Sequence, residues 1–409
     1  MSKKRTPIDR RSFLKSGLLG VAGLGLGSAL PSALRGADQN PPVFTGTTKK
    51  DGILRRTLGK TGVTLPVVSM GVMNSNNENL IQAALDAGMV HLDTAHGYQR
   101  GTNETVIGKV LKGRPRDSYF LATKVPGDPR DRATGNFFPE TKAEPFLEKF
   151  DLSLQRLGLD YVDILYLHNV LTREAVLFEP LMQALEKIKK SGKARFIGVT
   201  SHGEEHIVLR AALEAKIYDV VLIGYNFRKT NLIELDAAKA GIGLIAMKTL
   251  AGGYWDGRAR QQPLNVKAAL KWALNNPLIT TAIPGMTSFD QLEMNKSVMS
   301  DITLTPQERA DLKLSEPQAG GGFYCQGCNA CLSQCPRGLP IPSLMRGYMY
   351  AYSYRNLGAA YDLVASLGVS QAPCGDCSSC RVRCTMGFDV RDRASDIARI
   401  QAAPAELFA

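Results

Sequence analysis

The first 324 residues of this 409-residue chain contain no cysteine, and no part of the chain is a low-complexity tract. The chain also lacks a long hydrophobic run and a stripe of basic residues interleaved with aromatic ones. A transmembrane helix needs about 20 consecutive apolar residues, so none is expected in the mature protein. The missing basic stripe argues against nucleic acid as a partner, in spite of the net charge of +12.

Half of that positive charge lies at the N-terminus. Residues 1–37 hold seven lysines and arginines against the single acid Asp9, which leaves +6 on the rest of the chain. The segment contains the string DRRSFLK, with Arg10 and Arg11, and then a weakly apolar stretch rich in glycine and alanine. That stretch is too short to span a bilayer and is typical of the apolar region of a signal peptide. Since residues 1–37 lack cysteine, a lipoprotein anchor is excluded here.

The DRRSFLK string resembles a twin-arginine export signal, which is recognised by a receptor that passes folded proteins. We therefore expect residues 1–37 to be a signal peptide and residues 38–52 to be a linker. The protein is then expected in the periplasm or another extracytoplasmic compartment. The alternative interpretation is a disordered basic tail.

From Val67 to about residue 297, short β-branched runs alternate with amphipathic stretches of helical length. Eight such pairs predict an α/β fold, an eight-stranded parallel (β/α)8 barrel of the TIM type with outer helices. A doubly wound open sheet is the alternative, but no glycine-rich phosphate turn follows the first run. The eight runs are PVVSMGV, MVHLD, YFLATK, VDILYLH, ARFIGVT, DVVLIGY, GLIAMK and TTAIPG.

Polar side chains end three successive predicted strands. Asp93 ends the second strand, Lys124 the third and His168 the fourth, and Tyr98 follows Asp93 by five residues. Each of them alone has an ordinary structural explanation, such as a capping acid or a solvated lysine. Because the carboxyl ends of barrel strands meet at one rim, where catalysis occurs in this architecture, we expect the four side chains to lie together.

Several segments of the same region resemble the aldo-keto reductases. The resemblance covers roughly residues 53–300 and rests, in order, on RTLGKTGVTLPVVSMGV, LDTAHGY, FLATK, LQRLGLDYVDILYLH, SGKARFIGVTSH and AIPGMTSFDQLEMN. It implies a barrel over residues 53–315 and an oxidoreductase that acts on a carbonyl or alcohol. It also implies a catalytic tetrad of Asp93, Tyr98, Lys124 and His168.

On this resemblance, Tyr98 donates a proton to a substrate carbonyl while hydride reaches the carbon. A phenol with a pKa of about 10 is a weak acid at neutral pH. An ion pair between Lys124 and Asp93 is expected to lower the pKa of Tyr98, and His168 is expected to orient the carbonyl.

The resemblance is weaker on the nicotinamide side. Gly285 and Gln291 stand where a lysine and an arginine would bind the extra phosphate of NADP, so selectivity for NADP is not expected. Met294 replaces a glutamate that binds adenine, Met247 the tyrosine under nicotinamide, and Leu222 a glutamine for its carboxamide. NAD(P)H is therefore a possible cofactor only. Its expected remaining contacts are Ser201, His202, Lys248 and Asn295.

All eight cysteines lie in two runs, CQGCNACLSQC (325–335) and CGDCSSCRVRC (374–384), with the same C-x2-C-x2-C-x3-C spacing. The spacing resembles two-cluster ferredoxins, in which the fourth cysteine of each run binds the other cluster. It implies one [4Fe-4S] cluster on Cys325, Cys328, Cys331 and Cys384, and a second on Cys374, Cys377, Cys380 and Cys335. Zinc and disulfides remain alternatives.

The stretch between the two runs is helical in pattern, so residues 316–409 are expected to form a mainly helical ferredoxin-like domain. Cubane clusters are built in the cytoplasm, and a folded-protein export route fits such a cargo. We expect an exported oxidoreductase that acts on a small carbonyl or alcohol and exchanges electrons through the clusters with a redox partner protein. The alternative is an electron-transfer or binding protein with the barrel as scaffold. Arg130, Arg132 and Arg173 are candidates for contact with an anionic substrate.

Overall fold

The computed structural model describes residues 46–131, 134–229, 238, 240–254, 263–316 and 321–408. The predicted signal peptide, the first part of the predicted linker and Arg132 lie outside the described residues.

Eight parallel strands form one sheet that nearly closes into a barrel, as the alternating pattern predicts. Neighbouring strands in the sheet are neighbours in sequence, which is the order of a (β/α)8 barrel. Bridges from Val68 to Ala282 and from Gly71 to Gly285 join the first strand to the last. The strands are β4 (Met70–Gly71), β5 (His91–Asp93), β6 (Phe120–Val125), β7 (Val162–Leu167), β8 (Ala194–Ser201), β9 (Val220–Gly224), β10 (Gly243–Met247) and β11 (Ile279–Ala282).

A small antiparallel sheet closes the amino end of the barrel. Its strands are β1 (Thr48–Lys50), which lies in the predicted linker, β2 (Ile53–Thr57) and β3 (Thr64–Pro66). Leu58 directly follows β2 and Leu65 lies in β3, and both are buried against the apolar side chains inside the barrel. The carboxyl ends of the strands are thereby left as the open rim.

Helices cover the outside of the barrel and bury an apolar stripe against the strands. Side-chain caps define several of their first turns: the Asn77 side chain accepts from the Leu80 N–H at 3.2 Å, for example. The barrel helices are α1 (Glu78–Asp86), α2 (Thr102–Leu111), α3 (Glu144–Leu157), α4 (Arg173–Val176), α5 (Glu179–Lys190), α6 (Glu205–Ala215), α7 (Val266–Leu274), α8 (Phe289–Val298) and α9 (Pro306–Leu314).

The C-terminal module, residues 321–408, is mainly helical, as the stretch between the cysteine runs predicts. Its helices are α10 (Ile341–Tyr352), α11 (Leu357–Ser366) and α12 (Val390–Ala398). They share an apolar core that also takes in Ala251 and Met73 from the barrel loops. The module therefore packs on the rim at the carboxyl ends of the strands. Within the described residues, no helix is both long and apolar enough to cross a membrane.

Candidate active site

The structure brings the four strand-end side chains together at the rim. Lys124 donates to a carboxylate oxygen of Asp93 and, at 2.6 Å, to the carbonyl oxygen of Thr94. It also lies 3.3 Å from the hydroxyl of Tyr98. The ring of His168 stands edge-on to that of Tyr98 with 6.2 Å between their centroids. A phenol, an ammonium and an imidazole therefore surround one small space.

Charge in this cluster is confined to one buried pair. The side chains of Lys124 and Asp93 are each only 2% exposed. Burial raises the pKa of Asp93 and lowers the pKa of Lys124, and the charge of each partner opposes that shift. Burial, with the charges of Lys124 and Arg130, lowers the pKa of His168 well below its ordinary value. His168 is therefore a neutral imidazole at neutral pH.

The expected lowering of the Tyr98 pKa is wrong. Burial raises that pKa, the charge of Asp93 raises it further, and only Arg346 opposes the two. The physical reason is that a phenolate loses its hydration in this site and is repelled by the nearby Asp93 carboxylate. Tyr98 is therefore a protonated donor over the whole physiological range.

The loop that carries Tyr98 is held by the C-terminal module. Gln99 and Arg100, which follow Tyr98, both have left-handed backbone angles, with φ of 49° and 54°. The Arg100 guanidinium donates to the Asp362 carboxylate at 3.1 Å and to the Ala405 carbonyl at 3.1 Å. Since left-handed non-glycine residues cost free energy, these contacts stabilise a strained turn beside the phenol.

The residues predicted to bind nicotinamide are only partly directed at the cavity next to Tyr98. His202 and Lys248 line this cavity. Ser201 instead donates to the Gly203 carbonyl within its own turn. The buried Asn295 donates to the Tyr254 hydroxyl at 3.0 Å, which uses the amide that was expected to contact adenine.

The positions that depart from the family pattern are likewise only partly directed at the cavity. Met247, Gly285 and Gln291 line the cavity, whereas Leu222 is fully buried inside the barrel. The Gln291 side chain accepts from the Thr287 N–H at 2.7 Å. Gln291, which stands where the family pattern has an arginine, therefore forms part of the cavity wall and contacts its neighbour Thr287.

Sequence reasoning missed several residues that line or adjoin the cavity. Tyr350, Ser353 and Tyr354 from the end of α10 line the same cavity as Tyr98, and Arg346 lies one turn before them. The aromatic-rich string MRGYMYAYSYR was the only signal, and it reads equally well as the apolar face of a helix. Nothing in a linear sequence shows that this face covers the rim.

Of the arginines that were candidates for an anionic substrate, the structure describes Arg130 and Arg173, and neither lines the cavity beside Tyr98. Arg173 is exposed and pairs with Glu214 on the outside of the barrel. Arg130 donates to the Asn169 carbonyl at 2.8 Å and to that of Gly127, so it holds two loops together. Arg173 therefore has no place in the site.

None of the eight cysteines forms a disulfide, and they lie in two groups of four. One cavity is lined by Cys325, Cys328, Cys331 and Cys384. A second cavity is lined by Cys335, Cys374, Cys377 and Cys380. Each group combines three cysteines of one run with the last cysteine of the other, which is the exchange that the resemblance to two-cluster ferredoxins implies.

The surroundings of both groups suit a cluster that binds through thiolates. Ile341 and Val390 line both cavities, so an apolar wall separates the two groups. Backbone N–H groups donate to the sulfurs of Cys325 and Cys384 at 3.4 Å each. Burial raises the pKa of Cys331 to about 12, so this thiol is neutral unless a metal displaces its proton.

In the part of the chain that the structure describes, no group of three or more histidine, cysteine or acidic side chains is placed to hold a metal ion. A [4Fe-4S] cluster would need a different arrangement from a single metal ion, because each of its four irons takes one cysteine thiolate.

The first group of cysteines lies against the barrel rim. A Cβ added to Gly203, after β8, would lie 2.8 Å from the carbonyl oxygen of Gly327 in the first cysteine run. Cys325 lines a small cavity together with His202 and Lys248. The module therefore covers the barrel mouth, and its first cysteine group is the one next to the candidate active site.

The comparisons with known proteins agree with the barrel fold. Residues 68–267 match the sequence profile of the Aldo/keto reductase family. The L-glyceraldehyde 3-phosphate reductase of Escherichia coli K12 is 25% identical over 63% of this chain and 90% of its own length. The L-galactose dehydrogenase of Arabidopsis thaliana is 28% identical over 60% of this chain and 88% of its own length.

Solved structures share the barrel. The aldo-keto reductase AKR11C1 from Bacillus halodurans in its holo form superposes with a TM-score of 0.53 at 24% identity. The match covers 64% of this chain and 97% of that one. Residues 68–267 therefore match the Aldo/keto reductase family, and this match together with the relatives indicates that the chain is an oxidoreductase.

Proposed function

We propose that this protein is an exported oxidoreductase that interconverts a small carbonyl compound and its alcohol at Tyr98 and exchanges electrons through two [4Fe-4S] clusters. The observation that supports the carbonyl chemistry is the arrangement of Tyr98, 3.3 Å from the Lys124 ammonium and edge-on to His168. A carbonyl oxygen that enters this space meets two neutral donors, the phenol and the imidazole, beside a fixed positive charge.

The residues have separate roles in this proposal. Neutral His168 orients the carbonyl oxygen, and Tyr98 donates the proton that the oxygen takes up. Lys124 stabilises the phenolate left behind, while Asp93 keeps the ammonium charged and fixed. NAD(P)H, if bound in the cavity, would supply both electrons and one proton as hydride; without it, the clusters would have to supply two electrons one at a time and solvent the second proton.

The arrangement of the cysteine groups supports a direction for electron exchange. The group around Cys325 adjoins the candidate active site, and the group around Cys374 lies farther along the module. Arg337 and Arg381 line the second group, so an acidic redox partner protein fits this face. Electrons then pass between the partner and the barrel through the second group and the first.

The carbonyl chemistry is tested with cluster-loaded protein, a panel of small carbonyl compounds, and either NADH or a reduced dye as donor. Tyr98→Phe keeps the shape of the site and removes the proton, so turnover should fall by at least about 100-fold. Tyr161→Phe, whose ring lies against Arg116 just before β7 at the other end of the barrel, is a matched control. Unchanged turnover in Tyr98→Phe refutes the assignment of the proton donor.

The clusters are tested by iron and sulfide analysis and by EPR of the reduced protein. Cys384→Ser should disturb the cluster of the first run and Cys335→Ser the cluster of the second, because each residue completes the group of the other run. Bound zinc, or thiols that titrate freely in native protein purified without oxygen, would contradict the proposal.

Export is tested with residues 1–37 fused to a reporter that is active only outside the cytoplasm after folding inside it. Replacement of Arg10 and Arg11 by lysine should abolish transport. Transport that survives this double change refutes the twin-arginine assignment.

A further inference from the structure

Two cations at the covered barrel mouth lack an acidic partner within the described part of the chain. Lys248 follows β10, and Arg346 lies on α10 of the C-terminal module. Lys248 lines both the cavity beside Tyr98 and the smaller cavity next to it, and Arg346 lines the smaller one. The Arg346 guanidinium makes a 3.3 Å hydrogen bond to the amide oxygen of Asn169, a neutral group.

Few groups near these two cavities oppose the positive charge: Cys325 and Glu205, which already pairs with Lys229, act on Lys248 from nearby. Among the described residues that line them, Asp93 is the only acid, and Lys124 already neutralises it. Burial and the neighbouring cations lower the pKa of His202 well below its ordinary value, so this imidazole is neutral. The Nδ1 atom of His202 is buried and has no partner among the described residues. Two positive charges and an unpaired polar atom thus face the same space.

Such an arrangement is unfavourable unless an anion joins it. Lys248 and Arg346 lie close enough for their positive charges to repel each other. The backbone of Lys248 is left-handed, with φ of 58°, which is a strained conformation for a residue other than glycine. A strained lysine that lines a cavity beside a second cation, with no ion-pair partner among the described residues, indicates a ligand of opposite charge.

We propose that Lys248 and Arg346 bind a carboxylate of the substrate, so that the substrate class is small oxo acids. The inference rests on the proposed function, because it places the carboxylate a few bonds from a carbonyl held at Tyr98. Lys248 and His202 line both the cavity beside Tyr98 and the smaller cavity with Arg346, so one small molecule can reach the cations and Tyr98. The guanidinium fork and the ammonium together match the two oxygens of a carboxylate.

Other anions can meet these cations, and the test must separate them. One is the pyrophosphate of a nicotinamide cofactor, which shares the charge but lacks the carbonyl. Another is the proposed cluster on Cys325, which lines the smaller cavity with Lys248. Each of them predicts a different response from the same variants.

The test uses the full cluster-loaded chain with no electron donor, so that binding is measured without turnover. Calorimetric titrations compare levulinate, its neutral amide levulinamide and inorganic pyrophosphate. Lys248→Met and Arg346→Gln should each weaken levulinate binding by at least about tenfold, the size expected for one charge-assisted contact. Arg173→Gln removes the same charge from the outer surface and should leave the affinity unchanged. Lys248→Arg should restore most of it.

Several results overturn the proposal. It fails if wild-type protein does not bind levulinate, if it binds levulinamide as tightly, or if the variants change only pyrophosphate binding. It also fails if they alter the EPR spectrum of the clusters and leave levulinate affinity intact. If Lys248→Met does not fold, Arg346→Gln carries the same comparison. Levulinate binding without turnover under any donor refutes the proposed function alone, and turnover of neutral carbonyls without levulinate binding refutes the subsite alone.

Discussion

The ion pair between Lys124 and Asp93 gives the sharpest test of the site as described. Both side chains are 2% exposed, and Lys124 also donates to the Thr94 carbonyl at 2.6 Å. Lys124→Met leaves the Asp93 carboxylate buried with no cation beside it. Removal of one partner from a buried pair costs about 3–5 kcal/mol, because the remaining charge keeps its desolvation penalty. The exposed pair of Lys193 and Asp151 is the control, and Lys193→Met should cost less than about 1 kcal/mol.

The pH dependence of that loss has a definite sign. Burial already raises the pKa of Asp93 above 3.8, and without Lys124 nothing opposes the shift. A carboxyl whose pKa is raised in the folded state adds stability at low pH and loses it as pH rises through the folded pKa. The penalty of Lys124→Met should therefore be small near pH 4 and grow towards neutral pH.

The measurement is denaturant unfolding of both variants and of Lys124→Met combined with Asp93→Leu, from about pH 4 to 8. The double variant removes both charges and should recover much of the stability lost in Lys124→Met. The reasoning is refuted if Lys124→Met costs no more than Lys193→Met, or if its cost does not change with pH.

The remaining predictions concern the parts around the pair. Gly203→Ala should displace the first cysteine run, lower the melting temperature and change the EPR spectrum of the cluster-loaded protein. Gly46→Ala, which has no atom nearby, should cause none of these changes. Equal effects of the two substitutions would contradict the close contact at Gly203. Arg100→Gln should lower kcat with little change in KM, because the Tyr98 loop loses its clamp, and an unchanged kcat would exclude a positioning role. Burial lowers the pKa of His91 to about 3. The free energy of unfolding should therefore fall by about 1.4 kcal/mol for each pH unit between pH 6.5 and about 3. His91→Leu should reduce this loss of stability in acid.

The barrel and the four strand-end residues were predictable because they follow from short-range pattern. Each of the eight predicted runs overlaps a strand, since alternation of buried runs and helices is sufficient to specify a parallel barrel. Asp93, Lys124 and His168 converge because strand ends share one rim. The observed strands are mostly shorter than the runs, as at β4, where pairing is limited to Met70–Gly71.

The remainder depended on long-range packing. Arg346 and Tyr350 reach the site from a helix far along the chain, and their spacing is that of an ordinary buried face. The pKa of Tyr98 was predicted in the wrong direction because the sequence names the neighbouring charges and does not give the desolvation, which is the larger effect here. Charged residues can be identified in a sequence, but how deeply they are buried is known only from the folded structure.

The two halves of the site depart from the family pattern to different degrees, and the covering module offers a physical reason. The contacts of Lys124 with Asp93 and Tyr98 lie within the barrel, so they are independent of what covers the rim. The side of the cavity that was expected to hold nicotinamide borders α10. Here the Tyr254 hydroxyl accepts a hydrogen bond from the Asn295 amide, and the Tyr354 ring lies 2.9 Å from the position of a Cβ atom added to Gly253. A cavity wall that packs against α10 does not also provide every contact to a dinucleotide. The same helix brings Arg346 to the mouth, so the cover that narrows the cofactor side also supplies the charge for a substrate.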